Sequence, residues 1–544
     1  MLKISVLDPA NLNSTKTIKY LSRALLASAV ALLLFPPSLS YLAETAAGDL
    51  DPTFGMGGKV KTDFFGRSDE ARAIAIQSDN KIVAVGSVNE IFSDDLGLAR
   101  YNPDGTLDPT FGSSGKLSLN LNGSQDGAED VAIQPDGKIV VAGRDSTPFS
   151  DGTGAFVLVR FNPNGSLDPT FGVGGIVRTR FPSSSAAALS IALQPDGKII
   201  AGGGGVLNLE PGGGLFNISE LARYNPDGSL DQTFGTGGKV FAGGAGIADL
   251  AVQPDGKIVA VAHFFFLALR FNTNGTPDLT FGSGGRVENT DLPIRLISSL
   301  GVAIQTDGKI VCGGGVRAPS SSTNDFSLVR LNANGTLDAA FGNGGVAAGD
   351  LGSNEGAWDC AIQTNGKIVV AGTSDQRFTV ARFNSNGTFD NTFNVVIPDF
   401  GCASPGANPV SVAYGVALYP NGKILACGTA CSPRDWVLAR FEGDPVGPDI
   451  CIQDESNGNI LRLSPTTGDY QFSACGIGFV IGGTGTLTKR GDILTLQAFG
   501  SNSRVLARID GSVNRATASV QVFSPARTFT ITDRDTRNNS CSCP

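Results

Sequence analysis

Three phrases recur seven times in fixed order along this chain, and nothing else in the sequence constrains the fold as tightly. The first reads L-D-P-T-F-G with small variations and places its phenylalanine at Phe54, Phe111, Phe171, Phe234, Phe281, Phe341 and Phe393. The second, A-I-Q-P-D-G-K-I, places its lysine at Lys81, Lys138, Lys198, Lys257, Lys309, Lys367 and Lys423. The third, L-A-R-F-N, places its arginine at Arg100, Arg160, Arg223, Arg270, Arg330, Arg382 and Arg440. The copies fill residues 49–442 at about 56 residues per unit, which suits a propeller blade with long loops and is too long for a β-helix coil.

Each unit reads as four short strands. Strand A is an apolar stretch such as Ala73 to Gln77, and strand B a run such as Lys138 to Gly143. Between A and B stands a tight turn, Pro135-Asp136-Gly137 in the second unit, where Asp-Gly supplies the hairpin. Strand C ends in Arg-Phe-Asn, and a second turn, Asn102-Pro103-Asp104-Gly105 in the first unit, leads to strand D. Four-stranded meanders repeated about an axis predict a β-propeller.

The phase of the repeat predicts how the ring closes. The chain opens the array on a D phrase, Leu50 to Gly55, and leaves it on a C phrase, Leu438 to Phe441. The N-terminal strand is therefore expected to complete the last blade, which removes the open edges. Six of the arginines are followed eight residues later by an aspartate, as Arg100 is by Asp108. Arg440 has Pro448 there, and Asp51 at the other end is the spare acid. A closing pair between Arg440 and Asp51 is expected.

The phrases Asp130 to Gly143 (DVAIQPDGKIVVAG) and Leu98 to Gly112 (LARYNPDGTLDPTFG) resemble the bacterial delta-60-repeat β-propeller family, and the A–B hairpin is similar to that of NHL-type propellers. The resemblance covers residues 49–442. It implies a propeller fold and export, and it brings no shared activity and no catalytic residues. Tyr419 departs from it where the other copies have glutamine, and Asn394 replaces the glycine after Phe393.

The rest of the chain falls into three further parts. Lys16, Lys19 and Arg23 precede an apolar run from Ala24 to Phe35, with small residues after it, so residues 1–47 read as a secretory signal. Cleavage after Ser40 or Ala47 is expected, and no other segment is apolar enough to span a bilayer. Residues 443–448 form a turn-rich linker, and 449–544 read as a small antiparallel β domain. The expected product is all-β: a seven-bladed propeller of four-stranded blades over 48–442, then this small domain, in a secreted, periplasmic or cell-surface monomer.

Nine cysteines suit an oxidising compartment. Cys402 in the D–A loop entering blade seven and Cys431 in that blade's B–C loop share one face and are expected to pair. Cys312, Cys360 and Cys427 sit in strands and read as buried thiols. Cys451, Cys475, Cys541 and Cys543 allow three connectivities in the tail.

A residue repeated in every blade is architectural, so function is expected where the blades differ. The A–B and C–D turns barely vary. The B–C and D–A loops on the opposite face vary strongly, and Asp94, Asp95, Arg144, Asp145, Arg317, Asp325, Arg434 and Trp436 are the binding candidates. A single histidine, His263, reads as a hydrogen-bonded structural residue and makes His-based catalysis and His metal clusters poor fits. The Asn-Pro-Asp-Gly turns lack the full pattern of a calcium loop, and no metal or cofactor is expected. A formal net charge of −9 argues against nucleic acid. The leading expectation is a non-enzymatic binding or scaffold protein with an extracellular ligand, glycan or protein as partner. The alternative is a polysaccharide-active enzyme, hydrolase or lyase, using paired carboxylates on the variable face.

Overall fold

The computed structural model describes residues 46–444 apart from 91–92, 122–125, 146–154, 209–214, 264, 293–295, 318–322 and 403–409, together with the strand backbones between 450 and 534. The signal segment up to residue 45, linker residues 445–448, and Cys475, Cys541 and Cys543 lie outside the described residues. Cys451 lies on a strand described by its backbone alone.

Seven antiparallel sheets make the propeller. Blade one consists of strands Glu70–Ile76, Ile82–Glu90, Ser93–Tyr101 and Lys116–Leu119, each hydrogen-bonded to the next. Six blades have four strands, and blade six has three, Glu355–Ile362, Ile368–Ser374 and Arg377–Phe383. The reason is local. Blade one turns into strand D through Phe111-Gly112, and Gly112 has φ of +51°. A Cβ there would stand 2.4 Å from the Lys116 carbonyl oxygen, so only glycine fits. Blade six reads Phe393-Asn394-Val395-Val396-Ile397-Pro398 and lacks that turn.

Blade seven takes its fourth strand from the N-terminus. Lys59–Thr62 pairs antiparallel with Asp435–Phe441, with Lys59 opposite Ala439 and Thr62 opposite Trp436. Upstream, Gly48 N donates to Glu442 O (2.8 Å), and Asn394 N donates to Ala47 O (2.7 Å). In blades one to five the residue after the phenylalanine instead bonds the C–D turn of the following blade, as Gly112 N does to Asn164 O. Residues 47–49 thus stand in for the turn that blade seven does not supply. Asn394 adds a side-chain bond to Asp49 Oδ1 (2.6 Å), which gives its replacement of glycine a role.

The core is a set of seams between neighbouring blades. Phe111 lies in the seam of blades one and two with Val85, Leu98, Val141 and Val159, and Phe54 lies in the seam of blades seven and one with Ala84, Tyr101 and Leu438. The seven repeat phenylalanines are each 0–3% exposed.

Above every phenylalanine sits an ion-pair node built from all three phrases. In blade one, Arg100 Nε donates to Asp108 Oδ2 (2.9 Å), Lys81 Nζ reaches the same oxygen at 3.1 Å, and the Arg100 guanidinium lies 4.7 Å from the Phe111 ring centre. Thr110 donates its N–H and hydroxyl to Asp108 Oδ1. Arg100 Nη1 also donates across the seam to Pro163 O in blade two. The pattern recurs at Asp168, Asp231, Asp278, Asp338 and Asp390. At the ring's closure Arg440 Nε donates to Asp51 Oδ2 (2.6 Å), Lys423 Nζ lies 2.7 Å from it, and Arg440 Nη1 donates to Pro103 O in blade one. The buried Asp51 carboxyl is held well below the usual range: burial alone would raise it, and the bonds from Lys423 and Thr53, with the charge of Arg440, outweigh that.

Cys402 and Cys431 form a disulfide, and Cys312, Cys360 and Cys427 are buried thiols. Beyond residue 449, strands Ile450–Gln453, Ile460–Leu463, Asp469–Ala474 and Phe479–Thr484 form one antiparallel sheet, and five strands from Thr486–Arg490 to Ala526–Arg534 form a second. Among the described residues no helix is long and apolar enough to cross a membrane.

The closure makes a direct prediction. Asp51→Asn leaves Arg440 and Lys423 facing a neutral partner, and a loss of about 3–5 kcal/mol is expected in urea unfolding, the usual cost of breaking a buried pair from one side. In a double-mutant cycle Asp51→Asn and Arg440→Met are expected to be strongly non-additive, whereas strict additivity would mean that the two residues stabilise the ring separately.

Candidate binding site at the channel mouth

Strand A lies innermost in each blade and carries a β-bulge at one fixed position. The pairing slips between Ala71 and Ala73 in blade one and between Ala128 and Asp130 in blade two, and it slips at the equivalent place in the other five. The extra residues are Arg72, Glu129, Leu189, Ala248, Leu300, Trp358 and Tyr414. A bulge re-aims a side chain, and here it turns one residue per blade into the central channel. A glycine within strand B, opposite the bulge, makes room for it: a Cβ on Gly86 would lie 1.9 Å from the Glu70 carbonyl oxygen.

These seven residues line one cavity of about 190 Å³ together with Asp130, Asp249, Asp359 and His263. It opens near the starts of the A strands and the end of strand B of blade four, on the face of the B–C and D–A loops. Its wall is chemically lopsided. Blades three to five contribute Leu189, Ala248 and Leu300. Blades six and seven contribute Trp358, 38% exposed, and Tyr414, edge-to-face at 5.2 Å between ring centres. The Arg72 guanidinium stacks 4.5 Å from the Tyr414 ring centre.

Arg72 belongs to a ladder of alternating charge. Arg434 pairs with Glu70 Oε1, Glu70 Oε2 lies 2.7 Å from Arg72 Nη2, and Glu129 Oε1 lies 3.8 Å from Arg144 Nε. Burial works against the Arg72 charge, and Glu129 and Glu70 more than offset it. His263 is pushed down by burial, so its imidazole is neutral at pH 7.

Beneath the mouth stand three aspartates in alternate blades. Asp130 accepts from Val131 N and from Ile191 N of blade three, both at 2.7 Å. Asp249 accepts from Leu250 N, from the Ser190 hydroxyl and from Val302 N of blade five. Asp359 accepts from Cys360 N and from Val416 N of blade seven. Each carboxyl is partly open to the channel yet surrounded by protein. Burial, with repulsion from Asp249, lifts Asp130 to about 7 and Asp359 to about 8, and burial raises Asp249.

Of the loop candidates, Arg144 and Arg434 join this site through Glu129 and Glu70. Asp94 accepts from Asn89 Nδ2, and Asp145 accepts from Arg178 Nε at 2.6 Å. Arg317 donates to Asn324 Oδ1 (3.0 Å), and Asp325 lies beside Asp350 and Glu355. Two candidates are not surface groups. Asp95 is 1% exposed and takes bonds from Ser93 and Asn120. Trp436 is fully buried in the seam of blades seven and one, 4.8 Å from the Phe64 ring centre, with its indole N–H donating to Ser87 O. Both stand on strand C; Trp436 is covered by the neighbouring blade, and Asp95 is held by Ser93 and Asn120 of its own blade. The bulge residues themselves stand on strands and not in the variable loops. Their signal was a variable residue inside an invariant phrase, five places before the glutamine: Arg72 before Gln77, Trp358 before Gln363.

Six segments, 77–111, 134–171, 194–234, 253–281, 305–341 and 363–393, match the family model described as domain of unknown function (DUF5122) beta-propeller. These segments are DUF5122 β-propeller repeats. Each runs from the A–B turn to the repeat phenylalanine, and the seventh such unit, Tyr419 to Phe54, is split between the two ends of the propeller. No curated protein sequence matches the chain. Among solved structures, virginiamycin B lyase from Staphylococcus aureus aligns with 11% identity and TM-score 0.40, over 71% of this chain and 99% of that one. Sqt1 of Chaetomium thermophilum bound to the N-terminus of ribosomal protein L10 aligns with 14% identity and TM-score 0.40, over 86% and 98%. Polysaccharide lyase Uly1 aligns with 11% identity and TM-score 0.39, over 75% and 94%.

The acids predict an unusual pH profile. A carboxyl raised in the folded state stabilises the fold while protonated, and that contribution fades as pH rises from the unfolded value of about 4 through the folded one. Asp130, Asp359 and Glu220, the last lifted to about 7 by burial, act in this sense. The node aspartates, held low, act oppositely below about pH 4. Urea midpoints are expected to peak near pH 4–5 and to fall toward pH 8, with the alkaline slope reduced in Asp359→Asn.

Proposed function

We propose that this protein is an exported binding propeller that takes a glycan at the channel mouth. The observation that carries the reading is the ring of bulge residues, fixed in backbone position and different in chemistry from blade to blade. Trp358 and Tyr414 offer an apolar stacking surface, and Arg72 and Glu129 offer a donor and an acceptor beside it. A sugar ring has one apolar face and a rim of hydroxyls, which suits that combination. The disulfide suits an oxidising compartment. Signal removal at Ser40 would leave Ala47, and the bond it accepts from Asn394, in place.

The polysaccharide-active alternative draws on Asp130 and Asp359, whose elevated values suit a general acid near neutral pH. Both oxygens of each are already engaged by backbone N–H groups of two blades, which favours a structural role and makes binding the better reading.

The chain has two tryptophans, and Trp436 is buried, so a change in emission on adding ligand reports on Trp358. Titration with oligosaccharides is expected to change that emission for at least one glycan class. Trp358→Ala and Arg72→Ala are each expected to weaken binding at least about tenfold without lowering the melting temperature, a loss of about 1.4 kcal/mol. Glycan binding that survives both substitutions would move the site elsewhere. Glycan cleavage lost in Asp130→Asn and Asp359→Asn would establish the enzyme.

A further inference from the structure

We propose that Asp325, Asp350 and Glu355 form a calcium-binding site on the loop face between blades five and six. Asp325 opens strand C of blade five, Asp350 follows that blade's strand D at Val346–Gly349, and Glu355 opens strand A of blade six. The acids come from three separate elements, yet one carboxylate oxygen from each lies within 4.8 Å of the others.

A cluster of acids alone is common on a surface; Glu355 sets this one apart. Its side chain is buried, with the residue only 2% exposed. Oε1 accepts from the Ser353 N–H (3.1 Å), the Ser353 hydroxyl and the Ser374 hydroxyl (3.1 Å). Oε2 is buried and has no hydrogen-bond partner. A buried carboxylate oxygen without a donor is costly, and the two neighbouring carboxylates add repulsion. The nearby Arg317 is turned to Asn324 Oδ1. Asp350 spends Oδ1 on the Gly352 N–H (2.6 Å).

A hard divalent cation answers all of these at once. Calcium takes six to eight oxygens at about 2.3–2.6 Å, so two oxygens on opposite sides of the ion stand about 4.8 Å apart. Magnesium requires a smaller and more regular octahedron. Three carboxylates, supplemented by water, suit calcium. Because the ligands belong to two blades, the ion would clamp the seam between blades five and six on the loop face, the side away from the ion-pair nodes. This site stands apart from the channel mouth, and its test does not involve the glycan.

Full-length secreted protein, freed of metal with EDTA, is titrated with CaCl2 and separately with MgCl2, followed by calorimetry and thermal melting. The expected result is one equivalent of calcium bound, a rise of several degrees in melting temperature, and at least a tenfold preference over magnesium. Asp325→Asn with Asp350→Asn is expected to abolish both signals and, in EDTA, to melt at or above the wild-type temperature because repulsion is relieved. Glu355→Gln tests the third ligand separately and is expected to lose calcium binding. The proposal is overturned if wild-type protein binds no calcium, if the double variant binds it equally, or if the double variant in EDTA melts below wild type.

Discussion

One carboxylate per blade holds the propeller's repeat together. Asp108 receives Lys81 from the A–B turn and Arg100 from strand C of its own blade, and Arg100 goes on to bond the C–D turn of the next. The node therefore joins all three recurring phrases and couples each blade to its neighbour. An arginine removed from water in this way needs its aspartate, and the aspartate needs its threonine and lysine, so the four residue types persist together in nearly every copy. Blade five shows the tolerance of the arrangement: Ala340 stands in the threonine's place, and Asp338 keeps the backbone N–H alone. In an array whose units stabilise one another through neighbours, an unclosed ring would expose both faces of the seam between blades seven and one, and the Arg440–Asp51 contact helps hold that seam shut.

That coupling explains which parts of the structure were legible in the sequence. Strand order, blade number and closure follow from residues that repeat, and the node demands that they repeat. Blade six loses strand D because its turn lacks glycine, a departure visible at Asn394 whose outcome depends on the N-terminal strap beside it. Exposure on strand C was not legible, since a neighbouring blade 349 residues away in sequence covers Trp436, and the carbonyl it bonds belongs to Ser87. The bulges themselves were not legible, because a bulge is a property of pairing between two strands; one strand shows only a variable residue five places before the glutamine, which does not say which way that residue points.

The division of labour between the two faces follows. The nodes occupy the face of the A–B and C–D turns and fix its sequence. At the opposite end of strand A the bulge needs only a backbone conformation and a small residue on strand B, so its side chain is free to differ. Arg72, Glu129, Leu189, Ala248, Leu300, Trp358 and Tyr414 share one geometry and have little chemistry in common. A ring built from near-identical copies thereby acquires a lopsided mouth without any loop rearrangement.

The aspartates under the mouth add a constraint set by the odd number of blades. The N–H just beyond each bulge points toward the channel and needs an acceptor. Asp130, Asp249 and Asp359 each bond that group in their own blade and in the next, so three acids serve blades two to seven in pairs. Between them, Ser190, Gly301 and Gly415 take the same position with small side chains. Seven cannot be divided into pairs, and blade one is left with Ala73 and Ile74 at that level of the cavity. It is also the blade whose bulge residue is Arg72, stacked on Tyr414 and flanked by Glu70 and Glu129. The point where the pairing of acids runs out is thus the point where the wall carries its positive charge. An incoming ligand that presents an acceptor would find a donor there, beside the two aromatic rings, and aliphatic wall on the opposite side.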